Sequence, residues 1–471
     1  MSFKKNFFKS IGSFAIFNYI TQGLEFFSTI ILSRLLLPEE YGFVAIILIF
    51  SGFIQLFSDV GIGSSVVRSD YGETFHRHLY SLSVWLGTFL ATIMMLLSYP
   101  IGILFNDMGL VIPAIIMSFR FVLDSFTYIP YAILAKKLDF KNVGIAKLYG
   151  TGLQIFFTIV LAFLGLSYWS LIIPLVFGPV FQLFFLRTKV KLPFRLYGWK
   201  ATLRIANKIK SLMGYLSLLN LITYWSSNAD KLIIARLYTQ AELGLYNRAF
   251  RFVMISSRLI TGIFHTVLFP SLKKLMSENG PVNKEYLDIL RIISLFNMPI
   301  VLILLLFPNE LVLILWGRAW IGVSEFLPYI AIILIFKPLL QTTSSVYILY
   351  EKEKVLTYVN IITSFLKLTF VLIGSLISLM HMILFICLNL ILVNVPLHGY
   401  FGFYKSFGFK KFALIKFWIP MMIFGCGLVY SVYFHDIILR ILMLVLLNSY
   451  LIYGLRKTIN ETIFTLKRKI F

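Results

Sequence analysis

The sequence predicts an all-α integral membrane protein of about 14 transmembrane helices: two six-helix lobes related by an internal repeat, followed by two C-terminal helices. Three observations carry this expectation: the composition, the spacing of the apolar stretches, and the placement of Lys and Arg. Hydrophobic residues make up 59% of the 471 and charged residues only 13%, a balance suited to lipid rather than water as solvent. A hydrocarbon core of roughly 30 Å takes about 20 apolar residues per helix. Stretches of that length recur with little sequence between them, leaving no room for a sizeable domain outside the bilayer.

The expected spans run 10–34, 41–62, 79–105, 109–134, 143–165, 168–187, 210–235, 243–269, 289–308, 323–349, 355–377, 380–402, 412–433 and 437–455. Lys4, Lys5 and Lys9 precede the first, as in a secretory signal. The apolar run continues to about Leu36 without a small-residue cleavage pattern, so it reads as a retained helix. The parity of the count is checked by charge. With a cytoplasmic N-terminus, the inner segments and the span ends adjoining them hold 32 of the 43 Lys and Arg, and the outer side holds Arg34, Arg236 and Arg318. One missed span would mix these populations downstream, so their separation predicts fourteen helices with both termini cytoplasmic. The net charge of +23 is thereby placed beside anionic headgroups. No exposed basic domain suits nucleic acid.

The expected organisation is an N-lobe at 1–187, a cytoplasmic basic amphipathic linker at 188–209, a C-lobe at 210–404, and helices 13 and 14 with a basic tail at 405–471. In the linker, Lys200, Arg204 and Lys208 recur every four residues, as on a helix lying along headgroups or in a solvated linker. The lobes rest on an offset of 202: LSRLLLPEEYGF (32–43) aligns with IARLYTQAELGL (234–245), matching Arg34, Leu35, Glu40 and Gly42 to Arg236, Leu237, Glu242 and Gly244. A weaker echo pairs YAILAKK (131–137) with YILYEKEK (347–354), at the inner end of the fourth helix in each set. Six helices return the chain to its starting side, so the repeats are parallel.

Eight Lys or Arg inside spans stand out as candidates: Arg120, Lys231, Arg248, Arg251, Arg258, Lys337, Lys367 and Arg440. Each costs about 2.5–3.5 kcal/mol at the bilayer centre on insertion scales, so several together imply a hydrated interior, ion pairing or a ligand. Arg248 and Arg440 lie near helix ends, from which they are expected to reach headgroups. Arg251, Arg258, Lys367, Lys337, Arg120 and Lys231 are the candidate anion-binding residues. Arg251 and Arg258, seven apart, share a helix face. Asp124 follows Arg120 by one helical turn, so neutralisation within the helix competes with ligand binding there. Glu25 and Asp124 are intramembrane carboxylates, candidates either for coupling to H+ or Na+ or for serving as counterions. Helices one, two, seven and eight are the least apolar. Tyr19, Asn220, Tyr224, Trp225, Asn228 and Tyr246 are sugar-contact candidates, with core packing the competing role of each aromatic. Cys387 and Cys426 sit inside apolar segments with no ligand spacing, so no metal site is expected. No Walker-type glycine loop is present, which argues against direct ATP use. No other cofactor is expected.

LSRLLLPEEYG (32–42), DVGIGSSVVR (59–68), NADKLIIARLY (228–238), LGLYNRAF (243–250) and VLFPSLKK (267–274) together resemble the Wzx-type oligosaccharide flippases of the MATE-like, or MOP exporter, superfamily. The resemblance implies a central cavity lined by helices one, two, seven and eight, with rocking of the lobes exposing it to each side in turn. It implies as cargo a polyprenyl-pyrophosphate-linked oligosaccharide for surface polysaccharide such as O-antigen, capsule or exopolysaccharide. Arginine suits pyrophosphate, because a guanidinium offers paired donors and stays charged at cellular pH. Expected partners are membrane lipids, a polysaccharide polymerase and chain-length proteins. The chain is not expected to be an enzyme. The rival readings are an ion-coupled drug or cation exporter, which would favour acidic lining residues, and a membrane polymerase or glycosyltransferase, which would need a large outer loop.

Overall fold

The computed structural model describes residues 3–58, 62–68, 73–190, 196–198 and 214–470, all of whose regular structure is helical. The expected amphipathic linker lies largely outside them. Ten of the described helices are long and apolar enough to cross a membrane. Helices also occupy the remaining expected positions, one, two, seven and eight: α1 (Phe3–Leu35), α2 (Pro38–Gln55), α8 (Gly214–Leu237) and α9 (Gln240–Ser277).

The chain divides into two compact units, Met1–Gly244 and Leu245–Phe471. In the first, a short α3 (Ile62–Arg68) packs on α5 (Val111–Lys136), and so does α4 (Glu73–Leu104). Helix α6 (Phe140–Phe163) is held between α1 and α7 (Trp169–Lys189), while α8 packs on α2. In the second, α10 (Val282–Leu306) leads through α11 (Pro308–Leu315) to α12 (Val323–Leu349), the most enclosed of those ten helices. Helices α13 (Glu353–Ser375) and α14 (Leu379–Asn389) form an antiparallel pair, and α15 (Lys411–Tyr433) pairs with α16 (Ile437–Ile470). Beyond Asn389 the α14 helix widens into π-turns at Leu390–Asn394 and His398–Ser406. The apolar pattern did not anticipate this widening.

The repeated motif has a concrete structural use. Glu40 accepts the Leu37 backbone N–H at 2.6 Å, and Glu242 accepts that of Thr239 at 2.8 Å, so each glutamate closes the N-terminus of its helix. The glycine two residues on permits close contact. A Cβ at Gly42 would lie 1.8 Å from the Gln240 carbonyl oxygen, and one at Gly244 would lie 1.9 Å from that of Pro38. The two copies therefore pack reciprocally, backbone on backbone, at the start of α2 and α9. Asp107 fastens the same corner by accepting Gln240 Nε2 at 2.8 Å. The weaker echo is also structural. Tyr131 of α5 donates to Gln182 of α7 at 3.2 Å, while Tyr347 of α12 lies 3.4 Å from His398 on the continuation of α14. In each copy, a tyrosine on the fourth span meets a polar side chain on the sixth.

Candidate functional site: intramembrane cations and a polar seam

In the first unit, α2, α5 and α8 meet along a polar seam. Gln55 Nε2 donates to the Tyr128 hydroxyl at 2.6 Å, joining α2 to α5. The Tyr224 hydroxyl donates to the Ile49 carbonyl, joining α8 to α2. The approach is possible because residue 52 is glycine: a Cβ there would stand 2.5 Å from the Tyr224 oxygen. The Trp225 ring packs on Phe53 with centroids 4.7 Å apart. One turn along α8, Asn228 Nδ2 donates to the Tyr224 carbonyl at 2.9 Å, and its Oδ1 accepts Lys231 Nζ at 3.2 Å. Thus Tyr224, Trp225, Asn228 and Lys231, four of the sequence-selected residues, form one connected set on α8. Tyr128 was not among the selected residues, because an aromatic in an apolar run carries no signal of its partner.

Arg120 and Asp124 form an ion pair on α5, with Nε to Oδ2 at 3.2 Å and the side chains 30% and 14% exposed. This is the intrahelical neutralisation that their four-residue spacing allows. Glu25 is half-buried on α1 and Tyr19 exposed. Lys147 Nζ donates to Asn18 Oδ1 at 2.9 Å, so α1 and α6 share a polar contact.

In the second unit, Arg251 is exposed on α9, while Lys337 on α12 and Lys367 on α13 are half-buried. Arg251 stands eleven residues beyond the start of α9, roughly 17 Å along the axis at 1.5 Å per residue. That length is about half the hydrocarbon thickness. Gln341, one turn after Lys337, accepts hydrogen bonds from Ser257 at 3.2 Å and Thr261 at 3.4 Å, fixing α9 against α12. The side chains of Arg258 and Asn220 lie outside the described residues.

Three expectations are corrected. Tyr246 is fully buried, its ring against Phe250 at 4.6 Å. It is a core side chain, whereas sugar contact needs an open face. Arg248 does not reach out to headgroups: it is 6% exposed, with its guanidinium 4.3 Å from the Trp320 ring centroid. An aromatic face stabilises a cation without full hydration. Arg440 is likewise buried, donating to the Leu305 carbonyl at 3.1 Å and the Val432 carbonyl at 3.4 Å. These oxygens lie at the C-terminal ends of α10 and α15, where the helix dipole favours a cation; the Val432 oxygen also accepts the His435 backbone N–H at 3.3 Å. The sequence reading also passed over Arg291, paired with the buried Asp288 at 2.7 Å. That acid lies three residues away, just outside the span as first drawn.

Comparison with known proteins fits these features. The chain is 22% identical over 370 residues to the lipopolysaccharide biosynthesis protein WzxC of Escherichia coli K12, covering 77% of this chain and 73% of that protein. It is 23% identical to the succinoglycan biosynthesis transport protein ExoT of Rhizobium meliloti, covering 64% of this chain and 60% of ExoT. Among solved structures, the lipid II flippase MurJ in an inward closed conformation superposes with a TM-score of 0.68. It is 14% identical, and the match covers 95% of this chain and 99% of MurJ, a likeness of fold. The family model described as polysaccharide biosynthesis protein matches residues 31–325, more than half the chain. This protein is therefore a multi-pass helical membrane protein with a fold like that of MurJ, belonging to the polysaccharide biosynthesis protein family.

Proposed function

We propose that the protein is a flippase that carries a polyprenyl-pyrophosphate-linked oligosaccharide from the inner to the outer leaflet of a bacterial inner membrane by alternating access. The observation that carries this reading is Arg251, an exposed guanidinium about half a bilayer along α9 in a member of this family. Facing acyl chains, such a group costs several kcal/mol; facing a hydrated passage, it can hold a pyrophosphate by charge-assisted hydrogen bonds. Arg258, Lys337 and Lys367 add charge to the path of the anion. The connected α8 set, with Lys231 among its members, supplies hydroxyl, amide and indole groups of the kind that recognise sugars. Because Asp124 is held by Arg120, Glu25 is the stronger candidate for H+ or Na+ coupling. Both termini face the cytoplasm in this reading, which the Lys and Arg distribution supports.

The test is complementation of a strain lacking its own copy. The triple substitution R251A, R258A and K367A should leave the protein inserted in the membrane, abolish surface glycan and accumulate lipid-linked oligosaccharide in the inner leaflet. Normal surface glycan from the triple variant would remove these cations from the mechanism.

A further inference from the structure

The second unit contains a cavity of about 880 Å³ that the proposed transport does not use. It is walled by the last turn of α9, the first three turns of α10, Tyr350 at the end of α12, and residues 408–413 leading into α15. Among the described residues that line it, Lys284, Arg291 and Lys410 are cationic and none is acidic. Lys284 and Lys410 are exposed. Arg291 is fixed: Nη1 donates to Asp288 at 2.7 Å and to the Gly454 carbonyl of α16 at 3.3 Å, and its guanidinium lies 5.9 Å from the Phe417 ring of α15. It thereby ties α10 to both C-terminal helices. Gly454 leaves the space for it, since a Cβ there would be 2.9 Å from Arg291 Nε.

The rest of the wall is preformed. Tyr350 donates to Asn283 Oδ1 at 3.0 Å, and Asn283 Nδ2 donates to the Phe407 carbonyl at 3.3 Å. Burial pushes the Tyr350 phenol up from its ordinary value, so it keeps its donor proton. Buried Val282, Leu287 and Phe409 supply apolar surface. The positive ends of the α10 and α15 dipoles flank the cations.

A cationic rim over an apolar wall, at the ends of membrane-crossing helices, matches an amphiphile bearing one phosphate. A soluble phosphate would leave the apolar wall unused, and a zwitterionic lipid would leave net positive charge. We infer that this cavity binds the headgroup phosphate of an anionic membrane phospholipid, and that the bound lipid secures the α15–α16 pair to the rest of the second unit. Basic pockets between membrane helices commonly take such headgroups.

The experiment uses the full chain purified in a neutral detergent. Phosphatidylglycerol, phosphatidylcholine with the same acyl chains, and inorganic phosphate are added separately. Bound lipid is counted by native mass spectrometry, and thermal unfolding is followed in parallel. Phosphatidylglycerol should be retained and raise the melting temperature, while the other two should not. K284Q/K410Q should weaken its retention on the order of 30-fold, from the usual contribution of two lysines near anionic lipid. The charge-matched K273Q/K274Q, outside the cavity wall, should retain it as the unsubstituted chain does. Equal loss from both double variants, no loss from K284Q/K410Q, or stabilisation by inorganic phosphate matching that by the lipid would each overturn the assignment.

Discussion

Replacing Gly244 by alanine puts a methyl carbon 1.9 Å from the Pro38 carbonyl oxygen and 2.7 Å from its carbon. Even close carbon–oxygen contacts in proteins lie near 3.3 Å, so the starts of α2 and α9 must part by about 1.4 Å. Both opposing atoms are helical backbone, which cannot rotate aside as a side chain would. Overpacking of this kind costs about 1–3 kcal/mol. For a unit of this size, that lowers the melting temperature by roughly 2–12 °C. Thermal unfolding in detergent, read by tryptophan fluorescence and by loss of the monodisperse peak, measures it. G152A is the control: nothing lies within 4 Å of a Cβ at Gly152, and alanine within a helix should be neutral or stabilising. Because one separation relieves both clashes, G42A/G244A should cost less than the sum of the single variants. G244A melting with the parent chain, or G152A falling equally, would refute the claim that the glycines are there for close packing.

R440M should lower stability by about 2–4 kcal/mol, because two helix-terminal carbonyls lose a charged donor; R440K should recover little, since a single ammonium cannot reproduce the fork, and thermal unfolding reports both. D124N should impair folding more than R120Q/D124N, because the single change leaves a guanidinium without its counterion; the yield of monodisperse protein in detergent checks the order. Y224F removes the hydroxyl bond to Ile49 and should cost about 1 kcal/mol, whereas G52A, which drives a methyl into that hydroxyl, should cost more, as paired melting curves would show.

The fold class was legible because burial in lipid constrains composition directly. A span must be about 20 apolar residues long whatever it packs against, and the loops record orientation in Lys and Arg. Glu40 and Glu242, with Gly42 and Gly244, were also visible as a motif repeated in sequence: the glutamates answer a local requirement, the capping of a helix start, while what the glycines touch was not legible. Arg120 and Asp124 paired as their spacing allows, because one helical turn sets that distance in advance.

What the tertiary structure alone decided is where each polar side chain ends. The sequence marks Arg248 and Arg440 as cations near helix ends. Only packing shows one over Trp320 and the other on the carbonyl of Leu305, partners 72 and 135 residues away in the chain. Tyr224 and Tyr246 look alike in sequence, yet one bonds across a seam and the other is sealed in a core. Hydrophobicity is a property each residue carries, so sequence fixes which segments enter the membrane. A hydrogen bond between distant helices belongs to a pair, and the pair exists only once the chain has brought its members together.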